Sequence, residues 1–133
     1  MVTIDEAQEI LDSVAEGLPS EIYKELNGGI ILLPDARRSR EPWAEDIYTL
    51  GEYTVSHSMG RYIAIFYGSF EHVFGTDAPR ETIAKELRKT LLHEFTHHLE
   101  DLAGENDLEK DDERRMRIYR ERAALRKIRR RGL

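Results

Sequence analysis

The fold of this chain is decided by residues 80–104, which read RETIAKELRKTLLHEFTHHLEDLAG. Proline is absent from this stretch, and its apolar residues recur every three or four positions, as on the buried face of an amphipathic helix. These apolar positions are Ile83, Leu87, Leu91, Phe95, Leu99 and Leu102. The sequence therefore predicts one long helix from about Arg80 to Ala103. Gly104 is the predicted end, because glycine commonly follows the last turn of a helix.

The predicted helix carries His93 and His97 with Glu94 between them, in the pattern HExxH. Residues four positions apart on a helix differ by only about 40° in direction, so the two imidazoles face the same side. Two imidazoles placed in this way can bind one zinc ion. Glu94 points about 100° away from His93, out of the chelate but within reach of a water molecule at the metal. In metalloproteases with this motif, the glutamate is the general base toward that water.

A catalytic zinc site needs a third protein ligand, and the chain contains no cysteine to supply it. Glu100 shares the helix face of the two histidines, although a role behind the ligands, where it would orient an imidazole, suits it better. Asp107 follows Gly104 by three residues, and a glycine that breaks the helix can return the chain beneath the metal. Asp107 is therefore the preferred third ligand and Glu100 the alternative. His98 is rotated about 100° from His97, which predicts a packing or surface role.

The sequence outside residues 80–104 predicts two shorter helices before the first strand and one after the last strand. Thr3 and Glu6 have the spacing of a capping box, at the start of an amphipathic helix over residues 4–17. Ser20 is predicted to cap a second helix. The predicted short helices are Glu21–Leu26 and a stretch around Ser69–Phe74.

Three segments have the composition of strands. They are Ile30–Leu33, Ile47–Val55 with an irregularity at Gly51, and Tyr62–Tyr67, which Gly68 is expected to end. Residues 35–46 contain a proline and have no clear period, which predicts an exposed loop. The predicted fold is therefore α+β, with about three strands packed against the HExxH helix and its flanking helices.

Charge is distributed unevenly along the chain. Residues 114–133 hold ten Lys and Arg against the single acid Glu121, whereas the protein as a whole has a net charge of −6. A basic tail on an acidic body can bind nucleic acid, but docking of the tail on its own acidic domain is the favoured interpretation. The acidic N-terminus and the lack of a long apolar run predict a cytoplasmic protein that does not enter a membrane.

With HEFTHHLEDLAGEND at residues 93–107, the chain resembles the short bacterial zincin-like metallopeptidases, also called minimal zincins. The resemblance covers most of residues 1–107, and it leaves residues 108–133 as a basic C-terminal helix docked on or extending from the same domain. Members usually read HExxHHxGxDD, with the aspartate three residues after the glycine as a zinc ligand. Here that glycine comes four residues later, a shift of about 6 Å along a helix. The resemblance implies a zinc ion held by His93, His97 and Asp107.

The predicted function is that of a zinc-dependent metallopeptidase, which hydrolyses a peptide bond in a peptide or protein with Glu94 as general base. One alternative is a non-catalytic zincin-fold domain that binds a protein or nucleic acid. Another is a regulatory HExxH protease that acts on one specific protein. Glu94 beside both histidines favours catalysis, because a binding domain does not need it. The sequence leaves open which side chain would stabilise the transition state, and the candidates are Tyr48, Tyr53, Tyr67, Tyr119 and His57.

Overall fold

In the computed structural model, which describes residues 1–39, 47–105, 120–123 and 125, helices come first, the strands follow one another, and helices return after the last strand. The helices are α1 (Ile4–Glu16), a short 3-10 helix (Ser20–Tyr23), α2 (Tyr67–Phe74) and α3 (Arg80–Glu105). The strands are β1 (Gly29–Leu33), β2 (Arg37–Arg38), β3 (Tyr48–Thr49), β4 (Gly51–Ser56) and β5 (Gly60–Phe66). The described residues therefore form an α+β structure, as predicted.

The main sheet has three strands in the order β1–β5–β4. β1 runs parallel to β5, with Gly29 opposite Tyr62 and Leu33 opposite Phe66. β4 runs antiparallel to β5, and the turn between them leads into Gly60, whose φ of 73° favours glycine. Among the described residues, β4 has no strand partner on its other side, so it is an edge of the sheet.

β2 and β3 form a separate antiparallel ribbon, in which Arg37 lies opposite Thr49 and Arg38 opposite Tyr48. The prediction of a loop over residues 35–46 is therefore wrong at Arg37 and Arg38, while residues 40–46 lie outside the described residues. A two-residue strand has too little sequence to show a period. Its pairing depends on contacts with distant parts of the chain.

The core lies between the sheet and the two helices α1 and α3. Every apolar position predicted for the long helix is buried, from Ile83 at 0% exposure to Leu102 at 8%. Ala7, Ile10 and Leu11 of α1 pack into the same cluster, together with Ile63 and Ile65 of β5. The capping box at the start of α1 is also confirmed. The Glu6 amide donates to Thr3 Oγ1 at 3.1 Å, and the Thr3 amide donates to Glu6 Oε1 at 2.9 Å.

Several predicted element boundaries are wrong. α3 continues through Gly104 to Glu105, because glycine weakens a helix by only about 1 kcal/mol and does not by itself stop one. Ser20 makes no capping hydrogen bond and lies inside a 3-10 helix that ends at Tyr23, before the expected Leu26. Gly68, the expected end of the third strand, lies instead within α2. A Cβ on Gly68 would lie 2.5 Å from the Ala36 amide nitrogen. Close packing of the chain against α2 is the reason for glycine there.

The described part of the basic tail is helical at residues 120–123 and 125. Leu125 is only 1% exposed and belongs to the hydrophobic core cluster. The tail therefore contributes at least one apolar side chain to the core. Within the described ranges, no helix combines the length and the apolar character needed to cross a membrane.

Candidate active site

A groove runs between α3 and the edge strand β4, and the motif residues line it. Gly51 makes the close approach of the two elements possible. A Cβ on Gly51 would lie 2.7 Å from Thr90 Cγ2 and 3.3 Å from Glu94 Cγ, closer than ordinary van der Waals contact. The glycine in β4 therefore sets how near the strand comes to the middle of the HExxH segment.

His93 and His97 lie on the exposed side of α3, while Phe95 between them is fully buried. Their Nε2 atoms are 3.1 Å apart, and their rings are nearly perpendicular, at 89°. Two nitrogen ligands at about 2.0–2.1 Å from one tetrahedral zinc ion lie roughly 3.3–3.4 Å apart. The two histidines thus come together as the spacing predicts, and a shift of a few tenths of an ångström would fit both to one ion.

Glu94 is 6% exposed, in contrast to the histidines on either side. This burial raises the pKa of the Glu94 carboxyl above its ordinary value, and the negative charge of Glu52 raises the pKa further. The positive charge of His97 and a hydrogen bond from the Tyr53 backbone amide act in the opposite direction. The net result is a raised pKa for a buried carboxyl group that lines the groove.

The third ligand is not assembled in the described part of the chain, where no group of three His, Cys, Asp or Glu residues is placed to bind a metal ion. Glu100 is exposed and lines the groove with His93 and His97. Asp107 lies outside the described residues, so its role stays a prediction. Because α3 continues to Glu105, the chain does not turn at Gly104 as expected. Any return of the chain beneath the histidines begins after that point.

His98 is part of a buried polar network that its position in the motif did not predict. Its side chain is 0% exposed. Its Nε2 lies 2.8 Å from the Lys24 carbonyl oxygen, which can only accept, so Nε2 carries a proton. Its Nδ1 lies 2.9 Å from the Tyr53 hydroxyl. Burial lowers the pKa of His98, and the Arg61 charge acts in the same direction, against the Lys24 carbonyl and Asp101.

Asp101, another carboxylate near the motif, belongs to the same network. Asp101 accepts from the Tyr53 hydroxyl at 2.9 Å and from Arg61 Nε at 2.8 Å. Asp101 is three residues after His98, a spacing that places the two side chains on one helix face. That spacing was the signal available in the sequence. The network links α3 to β4 and β5, and to the chain just before β1.

Of the side chains proposed to stabilise a transition state, Tyr48 and Tyr53 line the groove. The Tyr53 hydroxyl is committed to Asp101, and the Tyr67 hydroxyl donates to the Val2 carbonyl oxygen at 2.6 Å. His57 is exposed in the turn between β4 and β5, and Tyr119 lies outside the described residues. Tyr48 is therefore the candidate whose position in the groove best suits the role.

The groove has two halves that share Gly51, His93 and Glu94. One half is a cavity of about 530 Å³ toward the N-terminal end of α3. The other half, of about 950 Å³, extends past His97 toward the C-terminal end of α3. The motif residues therefore lie at the middle of a continuous cleft rather than at a closed end.

Comparison with known proteins relates the chain to a solved structure. Neither a family model nor a curated protein matches the chain. The solved structure of a conserved hypothetical protein from Thermus thermophilus is similar, with 34% sequence identity and a TM-score of 0.64. The similarity covers 78% of this chain and 100% of that one. At this identity over the full length of the relative, the chain belongs to the same family as the conserved hypothetical protein from Thermus thermophilus.

Proposed function

We propose that this protein is a small zinc-dependent metallopeptidase with a zincin-like fold. The observation that carries the proposal is the 3.1 Å separation of the His93 and His97 Nε2 atoms, with the Glu94 carboxyl buried beside them in an open groove. Structural ion pairs and packing do not require two exposed imidazoles to converge on one point above a buried carboxyl. A metal site with an adjacent base requires this arrangement.

The two imidazoles are ligands of the kind that zinc accepts, as is the carboxylate oxygen that would complete the site. His93 and His97 would hold the ion, with Asp107 as third ligand and Glu100 as the alternative. A bound zinc ion supplies Lewis acidity toward the scissile carbonyl and toward a water molecule.

Glu94 is the group that moves the proton. Its carboxylate takes a proton from the attacking water and passes it to the leaving amine as the peptide bond breaks. Burial raises the pKa of Glu94, which makes the carboxylate a stronger base than an exposed glutamate. The hydrogen bond from the Tyr53 amide holds the carboxyl in place.

The edge strand β4 gives the site a means to bind an extended peptide. An edge strand presents backbone donors and acceptors that a peptide in extended conformation can pair with. Because β4 borders both halves of the groove, a peptide paired along it would pass directly over His93 and Glu94. This arrangement favours a peptide or protein substrate over a small molecule.

Metal analysis of purified, dialysed full-length protein tests the proposal. We expect about one zinc per chain in the wild type and a large loss in His93→Ala. His57→Ala is the matched control, because it removes an exposed histidine from the β4–β5 turn and should leave the zinc content unchanged. Glu94→Gln should keep the metal and lose hydrolysis of a peptide library. A wild type that binds no zinc, or a Glu94→Gln variant that cleaves as fast as the wild type, would contradict the proposal.

A further inference from the structure

The half of the groove toward the N-terminal end of α3 has the features of a binding site for a side chain. It is lined by Tyr48, Leu50, Gly51, Glu86, Lys89, Thr90, His93 and Glu94. His93 and Glu94 form its inner end, so an occupant of this cavity would lie directly next to the bond that is cleaved. The cavity is about 530 Å³, within the usual range for ligand sites and large enough for any amino-acid side chain.

The aromatic wall of this cavity is supported from behind. The Tyr48 ring stacks on His72 of α2, with ring centroids 4.4 Å apart and planes at 13°. The Arg38 guanidinium lies 5.9 Å from the Tyr48 ring centroid. Aromatic stacking and a cation–π contact hold the ring in one position, so the wall exists before any ligand binds.

The ribbon that carries Tyr48 is itself anchored to α2. Ser69 is fully buried, and its Oγ accepts from the Arg37 amide at 2.8 Å and donates to the Arg37 carbonyl at 3.4 Å. The Arg37 guanidinium lies 4.4 Å from the Phe66 ring centroid and pairs with Glu52 at 3.0 Å. These contacts explain why the chain forms a two-residue ribbon at all. The ribbon places Tyr48 opposite α3.

The polar side chains on the helical wall of the cavity are bonded to each other or to the helix. Lys89 Nζ lies 3.6 Å from Glu86 Oε1, and the Thr90 hydroxyl donates to the Glu86 carbonyl oxygen at 2.8 Å. The positive and the negative charge on this wall therefore compensate one another. Glu94 is the remaining charged group of the lining, so this cavity has apolar surfaces at Tyr48 and Leu50 and fewer acidic groups than the other half of the groove.

The other half of the groove differs in charge. Glu52, Glu100 and Asp101 line it, and Val55 is its exposed apolar residue, at 59% exposure. Burial of an apolar side chain would therefore desolvate fewer charged groups in the Tyr48 half than in the acidic half.

We propose that the cavity between Tyr48 and Thr90 is a specificity subsite for one uncharged, apolar side chain, such as leucine, next to the scissile bond. The inference rests on the proposed metallopeptidase function and names the substrate class of that site. Burial of a leucyl side chain against Tyr48 and Leu50 predicts a preference of about 10- to 100-fold over glycine. A charged side chain would lose hydration there, and Lys89 and Glu86 already pair with each other, so it should gain nothing over glycine.

The test measures binding, so it does not depend on turnover. Short peptide hydroxamates, which bind zinc through the hydroxamate, are titrated by calorimetry into zinc-loaded full-length protein. The hydroxamates differ only in the side chain next to the chelating group: glycyl, leucyl, aspartyl or lysyl. We expect the leucyl compound to bind about 10- to 100-fold more tightly than the other three.

Variants locate the preference in the molecule. Tyr48→Ala should abolish the leucyl preference, measured as the ratio of leucyl to glycyl affinity in the same protein, and the zinc content of the variant shows whether the metal site is intact. Tyr48→Phe keeps the ring and should keep the preference. Val55→Ala, in the other half of the groove, is the matched control and should also keep it.

Each adverse result has a distinct meaning. If all four hydroxamates bind the wild type equally, the subsite is refuted while the metal site stands. If the leucyl preference persists in Tyr48→Ala, the side chain binds elsewhere and the assignment is wrong. If the protein holds zinc but binds none of the hydroxamates, the proposed metallopeptidase function is refuted together with the subsite.

Discussion

Replacement of Gly51 by alanine tests how closely β4 must approach α3 around the motif. The new methyl would lie 2.7 Å from Thr90 Cγ2, 3.1 Å from Ile65 Cδ1 and 3.3 Å from Glu94 Cγ. Carbon atoms pack best at about 3.5–4.0 Å, so the strand and the helix must separate by roughly 1 Å or distort. Overpacking of this kind typically costs about 1–3 kcal/mol of unfolding free energy. Gly51 does not have a positive φ, so the predicted cost is steric and not one of backbone strain.

A second substitution identifies the contact responsible. Thr90→Ser removes the Cγ2 methyl that lies nearest and keeps the hydroxyl that donates to Glu86. In the double variant Gly51→Ala/Thr90→Ser we expect the alanine to cost less than it does alone, with a coupling energy of about 1 kcal/mol. Gly17→Ala is the control, because the nearest atom to its Cβ, the Val14 carbonyl oxygen, is 3.6 Å away. Its effect should stay within about 0.5 kcal/mol.

Urea denaturation followed by circular dichroism gives these free energies, and zinc content and hydroxamate binding report on the site in the same proteins. Because Glu94 Cγ is among the displaced atoms, Gly51→Ala should lower hydrolysis by more than it lowers metal binding. The reasoning is refuted if Gly51→Ala is as stable as the wild type. It is also refuted if the two substitutions are strictly additive, since the Gly51–Thr90 contact would then not limit the packing.

Three further predictions follow from the described contacts. Gly104→Ala should raise the unfolding free energy by up to about 1 kcal/mol in urea denaturation, because Gly104 lies inside α3 and no atom of the described residues comes within 4 Å of its Cβ position; a loss of stability would show that the helix ends there. Tyr53→Phe should cost about 1–3 kcal/mol by the same assay, because it removes the hydroxyl that donates to Asp101 beside the buried His98, and a neutral result would mean that water replaces the hydroxyl. Burial acts to raise the pKa of Asp101, but hydrogen bonds from Arg61 and Tyr53 outweigh it and hold the pKa below the ordinary value of 3.8. The wild type should therefore be more stable than Asp101→Asn above pH 4 and lose that advantage as the pH falls through the lowered pKa, whereas an advantage that is equal at pH 3 and pH 6 would contradict this.

The sequence by itself determined the features that depend on local periodicity. Apolar residues that recur every three or four positions specified α3 and its buried face from Ile83 to Leu102. Every one of those apolar positions is buried. The same periodicity placed His93 and His97 on one side of the helix. The capping box of Thr3 and Glu6 is equally local, since its hydrogen bonds join residues three positions apart. In each case neighbours along the chain are also neighbours in space, so the pattern can be read from the sequence.

The sequence did not determine the features that depend on contacts between distant residues. The pairing of Arg38 with Tyr48 and the buried network of His98 both join residues far apart in the chain. The end of α3 was misplaced for a related reason. Glycine permits a helix to end, but whether it does depends on what the following residues can contact.

The proposed metal site also combines local features with features that depend on tertiary contacts. Two of its ligands are a local property of one helix, and the sequence specified them. The third ligand, the approach of β4 at Gly51 and the wall of Tyr48 depend on how separate segments are brought together. A carboxylate that reaches the site from another turn of the chain does so because of tertiary packing. The spacing of residues along one helix does not determine that packing.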